Sequence, residues 1–179
     1  MGRRHVATAA RLGHDVHVYD PLAPDDNNPQ IAHWHTTEAT AKRCQPEAVV
    51  IASPASTHAA LLWAWREVPR LFCEKPLALS NADYWAPRKG LVDREVAVGY
   101  NLRFIPHVQE MRAMVVAHGM PTSAHACLRC DPARWPGHQY ASPLLECSHE
   151  IDLVRYVLGG GLTFYGASVS PSGQTWDLI

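Results

Sequence analysis

Hydrophobic and polar positions along the chain follow two spacings in turn. Residues 47–53 (Glu-Ala-Val-Val-Ile-Ala-Ser) are a near-continuous apolar run, the pattern of a parallel strand buried on both faces, and Pro54 ends it. Ser56 and Thr57 then offer caps for a helix carrying His58, Ala59, Leu61, Leu62, Trp63 and Trp65. Leu71, Phe72 and Cys73 open the next strand, which completes a βαβ unit. Upstream, residues 3–12 have helix-forming composition and stop at Gly13, a natural cap. Residues 15–20 alternate polar with apolar until Pro21. A polar loop over 21–29, a short strand over 31–34 and a helix over 37–44 follow. Ser80 caps a further helix, and residues 95–100 read as a strand. This alternation predicts an α/β fold with a doubly wound parallel sheet over residues 1–100.

Past that point the pattern changes. Apolar residues at Val108, Met111, Met114 and Val115 predict an amphipathic helix over 104–118. A strand is expected over 122–129, a turn-rich stretch over 131–137, a helix over 143–158 ending in Gly159, Gly160 and Gly161, and a strand over 162–170. Residues 101–179 thus read as the start of an α+β domain, incomplete at its end.

Composition narrows the function classes. The chain has 179 residues, 47% hydrophobic and 18% charged, with a net charge of −1. With no basic run there is no support for nucleic-acid binding driven by phosphate neutralisation. No stretch approaches the roughly 20 apolar residues of a membrane span, and the opening Met1-Gly2-Arg3-Arg4-His5 lacks the apolar core of a secretory signal. A cytoplasmic protein is expected. Cys44, Cys73 and Cys147 fall in apolar segments, where reduced, buried thiols are the simplest state. Cys127 and Cys130, with His125 nearby, could seed a zinc site or a redox pair, but a second ligand pair is missing and the alternation around them reads as a strand; no metal is expected. His14, His17, His33 and His35 read as surface or loop residues.

The sharpest chemical feature is Glu74-Lys75-Pro76 directly after the 71–73 strand. Pro76 cannot donate to a ladder and extends the residue before it, which holds Lys75 at a carboxyl strand edge, where open α/β sheets bind ligands. Dinucleotide-binding units place a ribose-binding acid about 20 residues after their glycine-rich turn, and Asp20 stands at about that remove from Gly2. The two earlier glycines and the first strand of that fingerprint do not precede Gly2, so Met1 is expected to be an internal methionine of a chain truncated at both ends. Poor stability and weak cofactor binding are expected of such a piece.

Five segments in order resemble the Gfo/Idh/MocA oxidoreductases, the glucose-fructose oxidoreductase and inositol dehydrogenase family. They are Gly2-Arg3-Arg4-His5 with Val18-Tyr19-Asp20-Pro21; Ala52-Ser53-Pro54-Ala55-Ser56-Thr57-His58; Glu74-Lys75-Pro76; Val98-Gly99-Tyr100-Asn101-Leu102-Arg103-Phe104; and Leu144-Leu145-Glu146-Cys147-Ser148-His149-Glu150-Ile151-Asp152-Leu153. The resemblance implies a Rossmann-type NAD-binding domain followed by an α+β domain, and a homo-oligomer when full length. It implies hydride transfer between the nicotinamide and a secondary alcohol of a sugar, nucleotide sugar or inositol. Lys75 becomes the catalytic lysine, His149 the proton-transferring histidine and Glu146 the carboxylate ahead of it. Two departures weaken Glu146. Ala141-Ser142-Pro143 replaces a glycine-rich lead-in, and the step from acid to histidine is one residue shorter than in many members.

Those residue types suit the chemistry. An alcohol loses a hydride only if its hydroxyl proton leaves too, and an imidazole titrating near neutrality is a fit base for His149. Lys75 can stabilise the developing oxygen charge. Asp152, one turn after His149, contacts substrate or only holds a hydrogen bond. The cofactor contacts expected are Gly2, Arg3, Asp20, Ser53, Pro54, Thr57, His58, Glu74, Lys75 and Asn101. The Asp20 charge favours NAD over NADP, although Arg3 and Arg4 keep NADP open. The competing functions are an NAD-dependent glycosidase of the same family and a non-catalytic dinucleotide-binding protein.

Overall fold

The structure is a computed structural model that describes residues 1–22, 31, 33–123, 145, 147–159, 167–169 and 176–178, the last two stretches by backbone alone. The chain divides into two compact units, Met1–Gly99 and Tyr100–Ile179.

In the first unit, α1 (Gly2–Arg11) leads to β1 (His17–Tyr19), β2 (His33–His35), α2 (Glu38–Lys42) and β3 (Ala48–Ile51). A 3-10 turn, Ala55–Thr57, runs into α3 (His58–Ala64), followed by β4 (Arg70–Cys73), α4 (Asn81–Arg88) and β5 (Glu95–Val98). Ser80 caps α4 as expected, its hydroxyl accepting from the Asp83 N–H at 3.1 Å. Thr37 caps α2 in the same way. Neither Ser56 nor Thr57 caps α3; the 3-10 turn feeds the helix directly.

All strand pairs in this unit are parallel, β1 with β2 and β3 with β4 with β5. β1 and β3 share no ladder, so among the described residues the parallel sheet stands in two pieces. The core lies on one face of the second piece. Ile51, Leu71 and Cys73 pack there against Leu62 and Trp65 of the α3 segment, with Val68 beside them. The opposite face is open at Val50, which is 49% exposed, so β3 is not buried on both faces as its apolar run suggests. Among the described residues α1 reaches that face through the His5 ring, tilted 59° against Phe72 with centroids 5.2 Å apart.

His17 and His33 stand in the two strands expected there, and His35 ends the second; His33 is exposed, as expected of a surface residue. His17 and His35 are half-buried and share a face, and His17 stacks on both His33 and His35. Loss of solvent around the ring, with His17 and His33 alongside, holds the His35 imidazole below its ordinary range.

In the second unit a 3-10 turn, Asn101–Phe104, precedes α5 (Pro106–His118), and α6 (Ser148–Leu158) packs on α5. α6 ends with Gly159 in the left-handed conformation, φ +88, where glycine carries no Cβ penalty. β6 (Ala167–Val169) and β7 (Trp176–Leu178) pair antiparallel. No residue of α5 is buried against the described residues, and Met111 and Met114 are exposed, so its expected apolar stripe has no described cover. The strand expected over 122–129 lies almost wholly outside the described residues, as does the Cys127/Cys130 pair. No described helix is long and apolar enough to cross a membrane.

Candidate functional site

β4 is the central strand of its sheet, and the ladder runs past its end on both sides. The Glu74 N–H donates to the Ile51 carbonyl at 2.9 Å and the Gly99 N–H to the Cys73 carbonyl at 2.8 Å. Lys75 therefore follows the last paired residue at the carboxyl edge, half-buried, with a cis bond to Pro76. This is the placement that the proline predicts.

Glu74 does not merely neutralise its neighbour. Its side chain is 13% exposed, and one carboxylate oxygen meets His5 Nε2 at 2.7 Å, tying α1 to the end of β4. Gly99 gives it room, since a Cβ at that position would stand 2.9 Å from Glu74 Oε2. Sequence reasoning missed both His5 and Gly99. The signals were a histidine one turn into α1 and a glycine at the strand end beside Glu74, and neither has a local pattern to distinguish it.

The turn after β3 is tied to the same edge. His58 is 1% exposed; its Nδ1 faces the Pro76 carbonyl at 2.8 Å and its Nε2 the Ser53 carbonyl at 3.0 Å. A neutral ring donates through one nitrogen, so one carbonyl accepts while the other nitrogen only faces its neighbour, and the side chain bridges the Ser53 turn and the Lys75–Pro76 turn. Within that turn the Ser53 and Thr57 hydroxyls meet at 2.6 Å, and Thr57 donates to the Pro54 carbonyl at 2.7 Å.

Asp20 extends the β1 ladder, its N–H donating to the His35 carbonyl, and its Oδ1 accepts from the Leu22 N–H at 2.9 Å. One hydrogen bond leaves a carboxylate with acceptor capacity for two vicinal hydroxyls. Gly2 opens α1 with open space around its Cα, so nothing described there demands glycine. Met1 supplies no side-chain cap to that helix, and Arg3 is exposed on its first turn. An acid at the end of β1, polar turns at the ends of β3 and β4 and an uncapped helix start form the donor set a dinucleotide needs. These residues fit such a cofactor.

In the second unit, Asn101 is exposed at the start of its turn. Asp152 is buried and its two oxygens are taken by Arg103, through Nε at 2.7 Å and through Nη2. That bidentate bond, ahead of the cost of burial, raises the Arg103 pKa above its ordinary range. The Arg103 guanidinium also lies over the Tyr156 ring, 5.1 Å from its centroid. His149, on the same helix, packs edge-on to Tyr100 at 5.9 Å. Burial raises the Tyr100 phenol, and the nearby Asp152 charge adds to it. Glu146 lies outside the described residues.

Residues 2–99 match the model of an oxidoreductase family with an NAD-binding Rossmann fold. Inositol 2-dehydrogenase 1 of Saccharopolyspora erythraea is 36% identical over 119 residues, which cover 63% of this chain and 35% of that protein. The chain spans little more than a third of the length of the curated relatives it matches. Among solved structures, myo-inositol 2-dehydrogenase from Lactobacillus plantarum superposes with a TM-score of 0.76 at 15% identity, covering 94% of this chain and 56% of the other. The WlbA dehydrogenase from Bordetella pertussis, in complex with NADH and UDP-GlcNAcA, gives 0.74 at 17% identity, covering 94% and 57%. These likenesses carry the fold. With more than half of its length matched by the family model, the chain belongs to the Gfo/Idh/MocA oxidoreductases.

Proposed function

We propose that the full-length protein is an NAD-dependent oxidoreductase that moves a hydride between the nicotinamide and a secondary alcohol of a sugar, nucleotide sugar or inositol. The observation that carries the reading is Lys75 at the carboxyl end of the central β4 strand, its turn fixed by His58, in a domain of an NAD-binding family. The name of the Saccharopolyspora relative favours inositol or a related polyol.

Asp20 would accept the adenosine ribose hydroxyls, with its charge opposing a 2′-phosphate; NADP stays open only through Arg3 and Arg4. Gly2 and Arg3 at the uncapped helix start would hold the pyrophosphate, and the Ser53, Pro54, Thr57 turn, Glu74 and Asn101 would line the dinucleotide. When bound, the nicotinamide supplies the redox step. Lys75 donates a hydrogen bond to the alcohol oxygen and opposes its growing negative charge, help that is strongest in the transition state. His149 takes the hydroxyl proton, as an imidazole can near neutral pH. Glu146, which lies outside the described residues, is the carboxylate that the resemblance puts ahead of this histidine. His58 acts by tying two turns, and Asp152 acts as a positioning residue through Arg103. A net charge of −1 without basic runs speaks against nucleic-acid binding, and the family likeness supports a cytoplasmic homo-oligomer.

The test is Lys75→Met in the full-length protein, assayed for NADH formation across inositols and sugars. Loss of one transition-state donor predicts a fall in kcat of about 10²–10³-fold with cofactor affinity kept. Unchanged turnover, or glycoside cleavage by the parent without NADH accumulation, would overturn the proposal.

A further inference from the structure

Away from the Lys75 edge, three potential metal ligands converge beneath β1 and β2. His17, His35 and Cys44 each offer one ligand atom, all within 4.8 Å of one another, and all three residues are half-buried. Parallel pairing puts His17, Tyr19, His33 and His35 on one face, the face that α2 contacts, and Cys44 stands just past the end of α2. We propose that His17 Nδ1, His35 Nε2 and the Cys44 thiolate bind a zinc-class divalent cation, with water in the fourth position.

The geometry points to a cation in three ways. His17 Nδ1 and His35 Nε2 face each other at 2.9 Å, an arrangement in which two lone-pair sites compete for one proton. A dication serves both lone pairs at once. Tetrahedral zinc, at about 2.0–2.1 Å from imidazole nitrogen and about 2.3 Å from sulfur, needs ligand atoms about 3.3–3.6 Å apart; the imidazole pair opens slightly from 2.9 Å, and the Cys44 sulfur, within 4.8 Å, closes on it. The third ligand is soft, and the mix of imidazole and thiolate selects zinc over magnesium or calcium. Cys44 Sγ now donates to the Ala41 carbonyl at 2.7 Å, a bond its thiolate would surrender on binding.

Orientation of His17 is supplied from two sides. Its other nitrogen, Nε2, lies 3.4 Å from Asp15 Oδ2, within reach of the carboxylate–imidazole–metal arrangement once the exposed carboxylate closes on it. His33 stacks on the same ring with centroids 4.4 Å apart and planes 28° apart. Asp15, with a side chain 70% exposed, is thus better placed to orient than to ligate. Such an ion would bolt β1, and Asp20 at its end, to β2 and to the turn after α2, a structural role separate from hydride transfer.

Zinc binding by the untagged 179-residue chain, stripped with chelator and dialysed against zinc before elemental analysis, tests this. One zinc per chain is expected, and cobalt in its place gives a near-ultraviolet sulfur-to-metal band. Cys44→Ser removes the band and weakens zinc affinity more than 100-fold. Asp15→Asn weakens it about 10–100-fold while the band remains. Replacing Cys127 and Cys130 with serine leaves both readouts unchanged. Should Cys44→Ser fail to fold by circular dichroism, the parent chain still decides, because zinc must shield Cys44 but not Cys147 from alkylation mapped by mass spectrometry. No stoichiometric zinc, a band that survives in folded Cys44→Ser, alkylation of Cys44 that ignores zinc, or binding lost with Cys127 and Cys130 would each overturn the assignment.

Discussion

The two pieces of the parallel sheet share one geometry and are held by different forces. Beneath β3, β4 and β5 lies a hydrophobic cluster in which Leu62, Leu71 and Cys73 are at most 2% exposed. Under β1 and β2 no strand residue is buried, and the contacts are stacked imidazoles, hydrogen bonds and a partly covered Tyr19. Burial of apolar area is not directional, whereas a ring ladder depends on protonation and on ions. The domain therefore has one half held mainly by packing and another held mainly by ring and polar contacts.

The largest effect belongs to the packed half. Leu62→Ala empties a site that its neighbours fill from three elements, and the expected loss is about 2–5 kcal/mol, read from urea unfolding of the chain. A loss below about 1 kcal/mol would mean that the cluster is not close-packed and that the contrast between the halves is false.

Next in size is a pH effect on the same cluster. Burial, with the Glu74 charge adding to it, pushes the Cys73 thiol up to about 12 from 9.0. Between those values the unfolded thiol releases its proton while the folded one keeps it. Stability from this group is thus complete below pH 9 and is lost as pH rises towards 12, by at most about 1.4 kcal/mol per pH unit. Cys73→Ala removes that slope. Denaturation midpoints at pH 8.5 and 10 for the two proteins measure it, and equal slopes would refute the assignment.

How much was legible in the sequence divides along the same line. Where local chemistry decides, reading succeeds. Pro76 marks the end of β4, Ser80 caps α4, and the alternating elements up to Val98 follow from hydrophobic spacing. Long-range pairing leaves no such trace. Nothing near His5 announces Glu74, and nothing near His58 announces Pro76, because those contacts exist only once the sheet has formed. The strands that carry the histidines were legible at residues 15–20 and 31–34, but their clustering was not, because only the register brings His17 beside His35. The apolar run of β3 misled in the other direction, since Val50 has a β propensity that its open face does not reward with burial.

The smallest effect probes where the halves meet. Lys42 pairs with Glu38 one turn earlier at 2.6 Å, and its Nζ lies 5.4 Å from the centroid of Trp65, a member of the hydrophobic cluster. The ion pair is exposed on both sides, so Glu38→Gln should cost only about 0.3–0.5 kcal/mol. Lys42→Gln loses that pair and the cation over the indole as well, a contact that adds about 0.5–1 kcal/mol at a surface site. Combining the substitutions separates the two, because the double variant should match Lys42→Gln alone. If Glu38→Gln and Lys42→Gln prove equal in urea unfolding, the Trp65 contact contributes nothing, and α2 is tied to the packed half through its buried Ala41 rather than through Lys42. If Lys42→Gln costs more, α2 couples them, and occupancy of the imidazole–thiolate cluster at its end would be felt in the core.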